Sequence, residues 1–148
     1  MSTARDPDLA LVLDETLTDL LNLGMLAKQL HWNIVGPGFL MLHPLLEDIA
    51  AFARRASDRI AERSIALGRQ PDGRVHTVAM NNPLSMPDLG PVRDDTAIAI
   101  CRTAFETVST RLFAGMSAAS CDPVTQAVLT EVASDLETFA WMVRAQGQ

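Results

Sequence analysis

Apolar residues recur at three- and four-residue steps in four long stretches of the chain, and this spacing predicts four amphipathic α-helices. The stretches cover about residues 8–34, 42–67, 92–117 and 122–145. Leucines in the first stretch fall on more than one side of the helix, so we expect neighbours to cover more than one of its faces. Strand-like alternation is scarce, and the pattern therefore predicts an all-α fold.

Aspartate, proline and glycine mark the ends of these helices. Asp6-Pro7 and Asp122-Pro123 each place a capping side chain before a proline, which is favoured at the first helical position. Gly36-Pro37-Gly38 ends the first helix. Pro44 is predicted to lie in the first turn of the second helix, where its missing N–H has no intrahelical partner. That placement puts the start of the second helix near His43.

The longest connection, residues 74–90, joins the second helix to the third. A crossover of this length allows those two helices to run parallel across a four-helix bundle, with the order up, down, down, up. A short helical turn can form within it. We find no internal repeat, and the 148 residues fit a single domain spanning 1–148.

Composition and charge narrow the possible functions. The chain contains no tyrosine and few aromatic residues, so its core must be mostly aliphatic. A net charge of −6 does not attract nucleic acid or anionic lipid, but it attracts cations. Cys101 and Cys121 form no CxxC motif, and we expect both to be free thiols. No apolar run is long enough for a signal peptide or a membrane span, which predicts a cytoplasmic protein.

Histidines and carboxylates share one stripe of the second helix. His43 and Glu47 form one pair at four-residue spacing, and Asp58 and Glu62 form another. At about 100° per residue these four positions fall near 0°, 40°, 60° and 100° around the helix. Asp48 falls near 140°, off the centre of the stripe.

The two pairs are about 22 Å apart along the helix, so one metal ion cannot contact both. A two-fold mate running antiparallel would bring His43 and Glu47 of one chain against Asp58 and Glu62 of the other, giving two equivalent sites. His31 can join His43 across the Gly-Pro-Gly turn. Two imidazoles and three carboxylates then suit iron, manganese or zinc.

A simpler interpretation of the same residues is structural. Carboxylates at four-residue spacing are common on charged helices, and neighbouring arginines can pair with Asp58 and Glu62. A lone histidine on an apolar face is often structural too. The arginines in question are Arg54, Arg55, Arg59 and Arg63.

Three motifs make the chain resemble the Dps family of miniferritins. The specific ones are His31-Trp-Asn-Ile-Val-Gly-Pro-Gly-Phe-Leu-Met-Leu-His43 and Asp58-Arg-Ile-Ala-Glu-Arg63, the latter followed by Ala66-Leu-Gly68. Asp135-Leu-Glu-Thr-Phe-Ala-Trp-Met142 resembles the family's last helix. The resemblance covers nearly the whole chain and implies a ferritin-like four-helix bundle.

The resemblance also implies a function. Dps proteins are dodecameric shells that oxidise Fe²⁺, preferably with hydrogen peroxide, at ferroxidase sites between two-fold related subunits. It assigns His31, His43 and Glu47 to one subunit and Asp58 and Glu62 to its partner. The family usually has Asp at the position of Glu47, so metal affinity and metal–metal spacing are open to change. Trp32 is either a quencher of stray radicals beside His31 or a packing residue.

The resemblance also implies a route by which iron enters the shell. Family members have acidic three-fold pores near the start of the last helix, where Asp122 is the candidate and Glu131 a weaker one. Asp122 is equally suited to be an N-cap.

Basic residues that could bind DNA are few. Lys28 is the only lysine, and Arg5 is the only basic residue before the first helix. Twelve copies at −6 would carry roughly −72, so we expect little direct DNA binding. Protection of DNA would be indirect.

Three alternatives remain. A bacterioferritin-like site inside one bundle needs Glu-x-x-His motifs, which the chain lacks. A non-enzymatic shell that packs DNA in the nucleoid is disfavoured by the absence of basic tails. A repurposed shell with another metal-dependent, hydrolytic activity is not distinguished by the sequence, and His76 has no assigned role.

Overall fold

The computed structural model describes residues 6–147 of the chain. Arg5 and both ends of the predicted domain, residues 1 and 148, lie outside that range. Its elements are α1 (Pro7–Asn33), β1 (Ile34–Val35), α2 (Phe39–Ala66), α3 (Val75–Met80), β2 (Val92–Arg93), α4 (Asp94–Gly115) and α5 (Pro123–Gln146). A 3-10 turn, Met116–Ala119, follows α4. The predicted all-α fold is confirmed, and the short helix α3 lies within the crossover. No helix in residues 6–147 combines the length and apolarity needed to cross a membrane.

Both predicted aspartate caps are present. The Asp6 carboxylate accepts hydrogen bonds from the backbone N–H groups of Asp8 and Leu9, and Asp122 accepts one from that of Thr125. These contacts satisfy N–H groups that have no partner inside the helix, which is why α1 and α5 start where the sequence indicates.

The predicted start of α2 near His43 is wrong, because the helix begins at Phe39. The Gly38 carbonyl accepts hydrogen bonds from the N–H groups of Met41 and Leu42, so the first turn forms upstream of the histidine. Pro44 therefore lies in the second turn, where its missing N–H leaves the Leu40 carbonyl without a helical partner. Leu40 is 81% exposed, so water can reach this turn.

The third long helix is also shorter than predicted. Val92 and Arg93 form β2 instead of helix, and they pair in parallel with Ile34 and Val35 of β1. At the other end the 3-10 turn begins at Met116. The two-residue strands carry no alternating pattern long enough to be recognised in the sequence, yet they tie the end of α1 to the start of α4.

Contacts at the helix ends define the topology. Asp94 at the start of α4 lies against Gly38, just beyond α1, whereas Gly115 at the end of α4 lies against Val12 near the start of α1. The helices α1 and α4 are therefore antiparallel.

The helices α2 and α5 are antiparallel as well. Arg63 near the end of α2 binds Asp122 at the start of α5, and the rings of Phe52 and Phe139 stack at 5.2 Å between centroids. Because α1 and α2 also form a hairpin, α2 and α4 run parallel. The predicted order up, down, down, up is confirmed.

The core between these helices is aliphatic, as expected. Leu13, Leu20, Ile60, Leu129 and Leu136 are all completely or almost completely buried. The apolar spacing also predicts that Leu11 and Val124 face inward, but these residues, near the starts of α1 and α5, are 56% and 55% exposed. Both cysteines are free, with Cys101 buried and Cys121 exposed.

Candidate metal centre

His31 and His43 stack face to face where α1 turns into α2. Their ring centroids are 3.7 Å apart and the ring planes are inclined by 19°. His31 lies in the last turn of α1, and His43 lies in the second turn of α2. The Phe39 ring packs against His43 at 4.8 Å between centroids. The tight Gly36-Pro37-Gly38 turn thus brings together the two imidazoles, as the sequence predicts.

Reciprocal hydrogen bonds fix the tautomer of both rings. Nδ1 of His31 is 2.7 Å from the carbonyl oxygen of His43, and Nδ1 of His43 is 2.9 Å from the carbonyl oxygen of His31. A carbonyl oxygen can only accept, so each Nδ1 carries the proton and donates it. In a neutral ring Nε2 then carries the lone pair, and metal-ligating histidines are commonly oriented in this way.

The end of α1 explains why this pairing is favourable. The last four carbonyl groups of a helix lack intrahelical partners, and the His31 carbonyl is one of them. The Nδ1–H of His43 satisfies it. The same contact therefore terminates the helix and orients a potential ligand, which the sequence pattern alone does not reveal.

Glu47 lies one turn after His43 and faces the same place. Its Oε2 is 3.3 Å from Nε2 of His31 and 2.5 Å from Nζ of Lys28. The hydrogen bond from Lys28 is the main reason that the pKa of Glu47 is lowered, and the two imidazoles add to the effect. We call His31, His43 and Glu47 the imidazole half-site.

Lys28 is the residue of this site that sequence reasoning missed. It is the only lysine in the chain, and its ammonium lies 5.5 Å from the centre of the Trp32 ring as well as on Glu47. A signal was available, because Lys28 precedes His31 by three residues and Trp32 by four, spacings that place all three on one side of a helix.

Large apolar side chains close in sequence to the imidazole half-site remain exposed. Trp32 is 64% exposed, so it does not pack in the core of its own chain. Exposed apolar residues that cluster in this way are typical of surfaces covered by a partner. The others nearby in sequence are Met25, Phe39, Leu40 and Met41.

Asp58 and Glu62 lie farther along α2, exposed to solvent. In the described part of the chain neither forms an ion pair. Arg59 pairs instead with Glu131 of α5, and Arg63 with Asp122. Among the described residues no arginine pairs with Asp58 or Glu62, which disfavours the alternative in which nearby arginines neutralise them. We call these two residues the carboxylate half-site.

The two half-sites do not meet within one chain. They are about 22 Å apart along α2. Residues 6–147 contain no group of three or more His, Cys, Asp and Glu side chains arranged to hold a metal ion. The structure thus brings together three of the five predicted ligands and leaves the other two on the same helix, facing outward.

Asp122, the pore candidate, is engaged inside the chain. Its carboxylate oxygens lie 3.0 and 2.7 Å from Nη2 of Arg63, and Oγ1 of Thr125 lies 2.7 Å away. Burial raises the pKa of Asp122, but the hydrogen bonds from Thr125 and Arg63 outweigh it, so the pKa is lowered overall. These contacts favour the N-cap interpretation. Glu131 is likewise paired with Arg59.

Comparison with known proteins identifies the family of the chain. The model of the ferritin-like domain matches residues 11–148. Among curated relatives, DNA protection during starvation protein 2 of Deinococcus radiodurans is 33% identical over 134 residues, which are 90% of this chain but 56% of that protein. The DNA protection during starvation protein of Agrobacterium fabrum is 29% identical, covering 93% of this chain and 86% of the relative.

Solved structures give the same result. The crystal structure of Dps92 from Deinococcus radiodurans has a TM-score of 0.91 at 30% identity and covers 98% of this chain and 87% of that one. Dps from Microbacterium arborescens, solved in its high iron form, has a TM-score of 0.91 at 27% identity, covering 97% and 93%. The chain therefore belongs to the ferritin-like family and, within it, to the Dps miniferritins.

Proposed function

We propose that this protein oxidises Fe²⁺ at sites formed between two copies of the chain and stores the ferric product in a hollow shell. The observation that carries the proposal is the reciprocal pairing of His31 and His43. It commits both Nδ1 protons to carbonyl groups, so that Nε2 is the nitrogen of each ring left to bind a metal, and Nε2 of His31 lies 3.3 Å from Oε2 of Glu47. Two oriented imidazoles next to a carboxylate form an incomplete set of metal ligands.

A second copy would supply the missing ligands. Across a two-fold axis the carboxylate half-site of one chain faces the imidazole half-site of the other, which creates two equivalent sites per dimer. Asp58 and Glu62 are available for this role because the neighbouring Arg59 and Arg63 are engaged by α5. The exposed Trp32 and its apolar neighbours would be covered in the same contact.

The completed set of two imidazoles and three carboxylates suits Fe²⁺ as substrate. Each of two Fe²⁺ ions gives up one electron, and one molecule of hydrogen peroxide takes both electrons with two protons to form two molecules of water. Consuming peroxide in a two-electron step limits the release of hydroxyl radicals. Trp32, adjacent to His31, would lie beside the completed site and quench any that escape.

Storage follows from the relatives rather than from the single chain. One similar protein was solved in a high iron form, and others are named for DNA protection during starvation. We propose a dodecamer assembled from two-fold dimers, with ferric oxide inside. The charge of −6 per chain would concentrate Fe²⁺ and repel DNA phosphates, so protection of DNA would come from removing iron and peroxide.

The first experiment mixes two defective variants. The protein is freed of metal and given Fe²⁺ and hydrogen peroxide without oxygen, and ferric absorbance is followed for the wild type, His31→Ala, Asp58→Ala and a co-expressed mixture of both. We expect fast oxidation by the wild type and little by either variant alone. Each heterodimer would hold one intact and one doubly defective site, so random mixing should restore about one quarter of the activity.

Two outcomes would contradict the proposal. A site confined to one chain predicts no recovery in the mixture, because every chain then carries a defect. Oxidation by the wild type no faster than in buffer would show that the shell lacks ferroxidase chemistry, and a repurposed shell would become the preferred interpretation.

A further inference from the structure

The turn that joins the two histidine-bearing helices is held by a residue from outside it. The carboxylate of Asp94, at the start of α4, accepts a hydrogen bond of 2.6 Å from the backbone N–H of Gly38. That N–H belongs to the residue immediately before α2. The hydrogen bond is also the main cause of the lowered pKa of Asp94.

Asp94 fills space that only glycine leaves open. A Cβ added to Gly36 would lie 2.8 Å from the carboxyl carbon of Asp94, and one added to Gly38 would lie 3.0 Å from its Oδ2. Gly36 additionally has a φ of +119°, which side chains disfavour. The two glycines and the carboxylate therefore fit one another closely.

The pairing of β1 with β2 also holds the neighbouring backbone against the start of α4. Asp94 directly follows β2, whose parallel pairing with β1 holds Ile34 opposite Val92. The strand pair thus anchors the end of α1 to α4, while Asp94 anchors the start of α2 to α4. His31 lies on the first of these helices and His43 on the second.

We propose that Asp94 is a positioning residue of the imidazole half-site: by binding the Gly38 N–H it sets the register of α2 against α1, and hence the stacking of His43 on His31. This inference rests on the function proposed above. Its physical basis is that the two Nδ1 hydrogen bonds cross between the helices. A shift of α2 at Gly38 lengthens both and releases the rings from the single tautomer that exposes Nε2.

The test compares Asp94→Ala with Asp94→Asn, which keeps an acceptor oxygen. Co²⁺ is the probe, because it suits nitrogen and oxygen ligands and its absorption reports their geometry. Loss of an outer partner of a ligand typically weakens metal binding about 10- to 100-fold, so we expect at least a tenfold loss in Asp94→Ala and substantial recovery in Asp94→Asn. Asp95→Ala, an exposed acidic neighbour in the same turn, is the matched control and should bind like the wild type.

A metal-free measurement separates this inference from the proposed function. Solid-state NMR of ¹⁵N-histidine in the sedimented protein reports the tautomer of each ring, and the His76→Gln variant identifies the third signal. We expect His31 and His43 to be protonated at Nδ1 in the wild type and to show mixed tautomers in Asp94→Ala. If the wild type failed to bind Co²⁺ but showed this difference, the proposed function would fail while the positioning role stood.

Gly38→Ala provides an independent perturbation. Its added methyl group must displace Asp94, so the variant should weaken Co²⁺ binding in the wild-type background. In the Asp94→Ala background the carboxylate is gone and only the Cβ of that residue, 3.3 Å from the added methyl group, remains, so the same substitution should cost much less. Equal costs of Gly38→Ala in both backgrounds, or unchanged tautomers and Co²⁺ affinity in a folded Asp94→Ala protein, would overturn the inference.

Discussion

The imidazole and carboxylate half-sites lie on or beside the same side of α2. They differ in how many of their polar groups have a hydrogen-bond or ion-pair partner within one chain. In the imidazole half-site both Nδ1 atoms and the Glu47 carboxylate have partners within the chain: each Nδ1 binds a carbonyl oxygen, and Glu47 binds Lys28. In the carboxylate half-site Asp58 and Glu62 are exposed and, among the described residues, form no ion pair. Contacts within one chain therefore orient the imidazole half-site, whereas the carboxylate half-site remains free to contact a partner.

The contrast teaches how a shared site can be divided. Orienting an imidazole requires fixed hydrogen-bond partners, which the end of α1 and the turn provide. Exposed carboxylates need no such frame, but they must be kept away from nearby cations. Two of the neighbouring arginines, Arg59 and Arg63, are held by Glu131 and Asp122 of α5, which keeps these two cations away from the carboxylates.

The largest expected effect comes from removing an imidazole. His43→Ala deletes a ligand and one of the two reciprocal hydrogen bonds, so we expect Co²⁺ affinity to fall on the order of 100-fold or more, beyond the cost of losing an outer partner alone. Isothermal titration measures it. His76→Ala, which changes an exposed histidine of α3, is the control, and an equal loss in both variants would show that the effect is not local.

Removing a carboxylate should be milder and should leave the imidazoles unchanged. Asp58→Asn keeps the size of the side chain but removes its charge, and we expect roughly a tenfold loss in Co²⁺ affinity with unaltered histidine tautomers. Asp48→Asn, an exposed carboxylate off the same stripe, should bind normally. Altered tautomers in Asp58→Asn would contradict the division into two half-sites.

Asp122 should matter for stability and not for oxidation. Asp122→Ala removes an N-cap and leaves the half-buried Arg63 without its carboxylate, so we expect the free energy of unfolding to fall by about 2 kcal/mol. Urea denaturation measures this, with exposed Asp135→Ala as control.

The stabilisation by Asp122 should also depend on pH. Because the pKa of Asp122 is lowered in the folded chain, its stabilisation is present above the ordinary Asp pKa of 3.8 and is lost as pH falls through the lower folded value. A change in the oxidation rate per folded chain would instead favour a role in the pore.

Lys28 should give the smallest effect. In the absence of metal its ammonium lies on Glu47, so Lys28→Met removes a competitor for this carboxylate and should raise Co²⁺ affinity at neutral pH only a few-fold, because solvent weakens an exposed ion pair. The same change lets the pKa of Glu47 rise towards its ordinary value, so binding in Lys28→Met should weaken at a higher pH than in the wild type. Lys28→Arg keeps the charge and is the control; identical pH profiles for all three proteins would refute the effect.

The sequence predicts the frame of this molecule better than the details of its site. Helix periodicity and the Asp-Pro pairs identified the four long helices, because burial and capping act locally along the chain. Pro44 misled the prediction for α2, since a proline in the second turn is tolerated when the preceding turn is exposed. The strands β1 and β2 were not predicted, because a two-residue strand is too short to show the alternation of apolar and polar residues that marks a β-strand.

The site shows the same limit. The spacing of His43, Glu47, Asp58 and Glu62 identified a shared face of α2, and the short turn placed His31 near His43. The reciprocal Nδ1 bonds, the Lys28 contact and the Asp94 contact depend on three-dimensional geometry between segments that are distant in sequence or joined by a turn. Asp122 illustrates the converse, because one residue suited two roles and only its contact with Arg63 distinguishes them.

The most direct measurement is anomalous X-ray diffraction from crystals of the assembled protein soaked anaerobically with Fe²⁺. The intersubunit site predicts iron bound by Nε2 of His31 or His43 and by Glu47 from one chain, together with Asp58 or Glu62 from a second chain related by a two-fold axis. Iron bound only by residues of a single chain, or a two-fold contact that leaves Asp58 and Glu62 facing solvent, would contradict it.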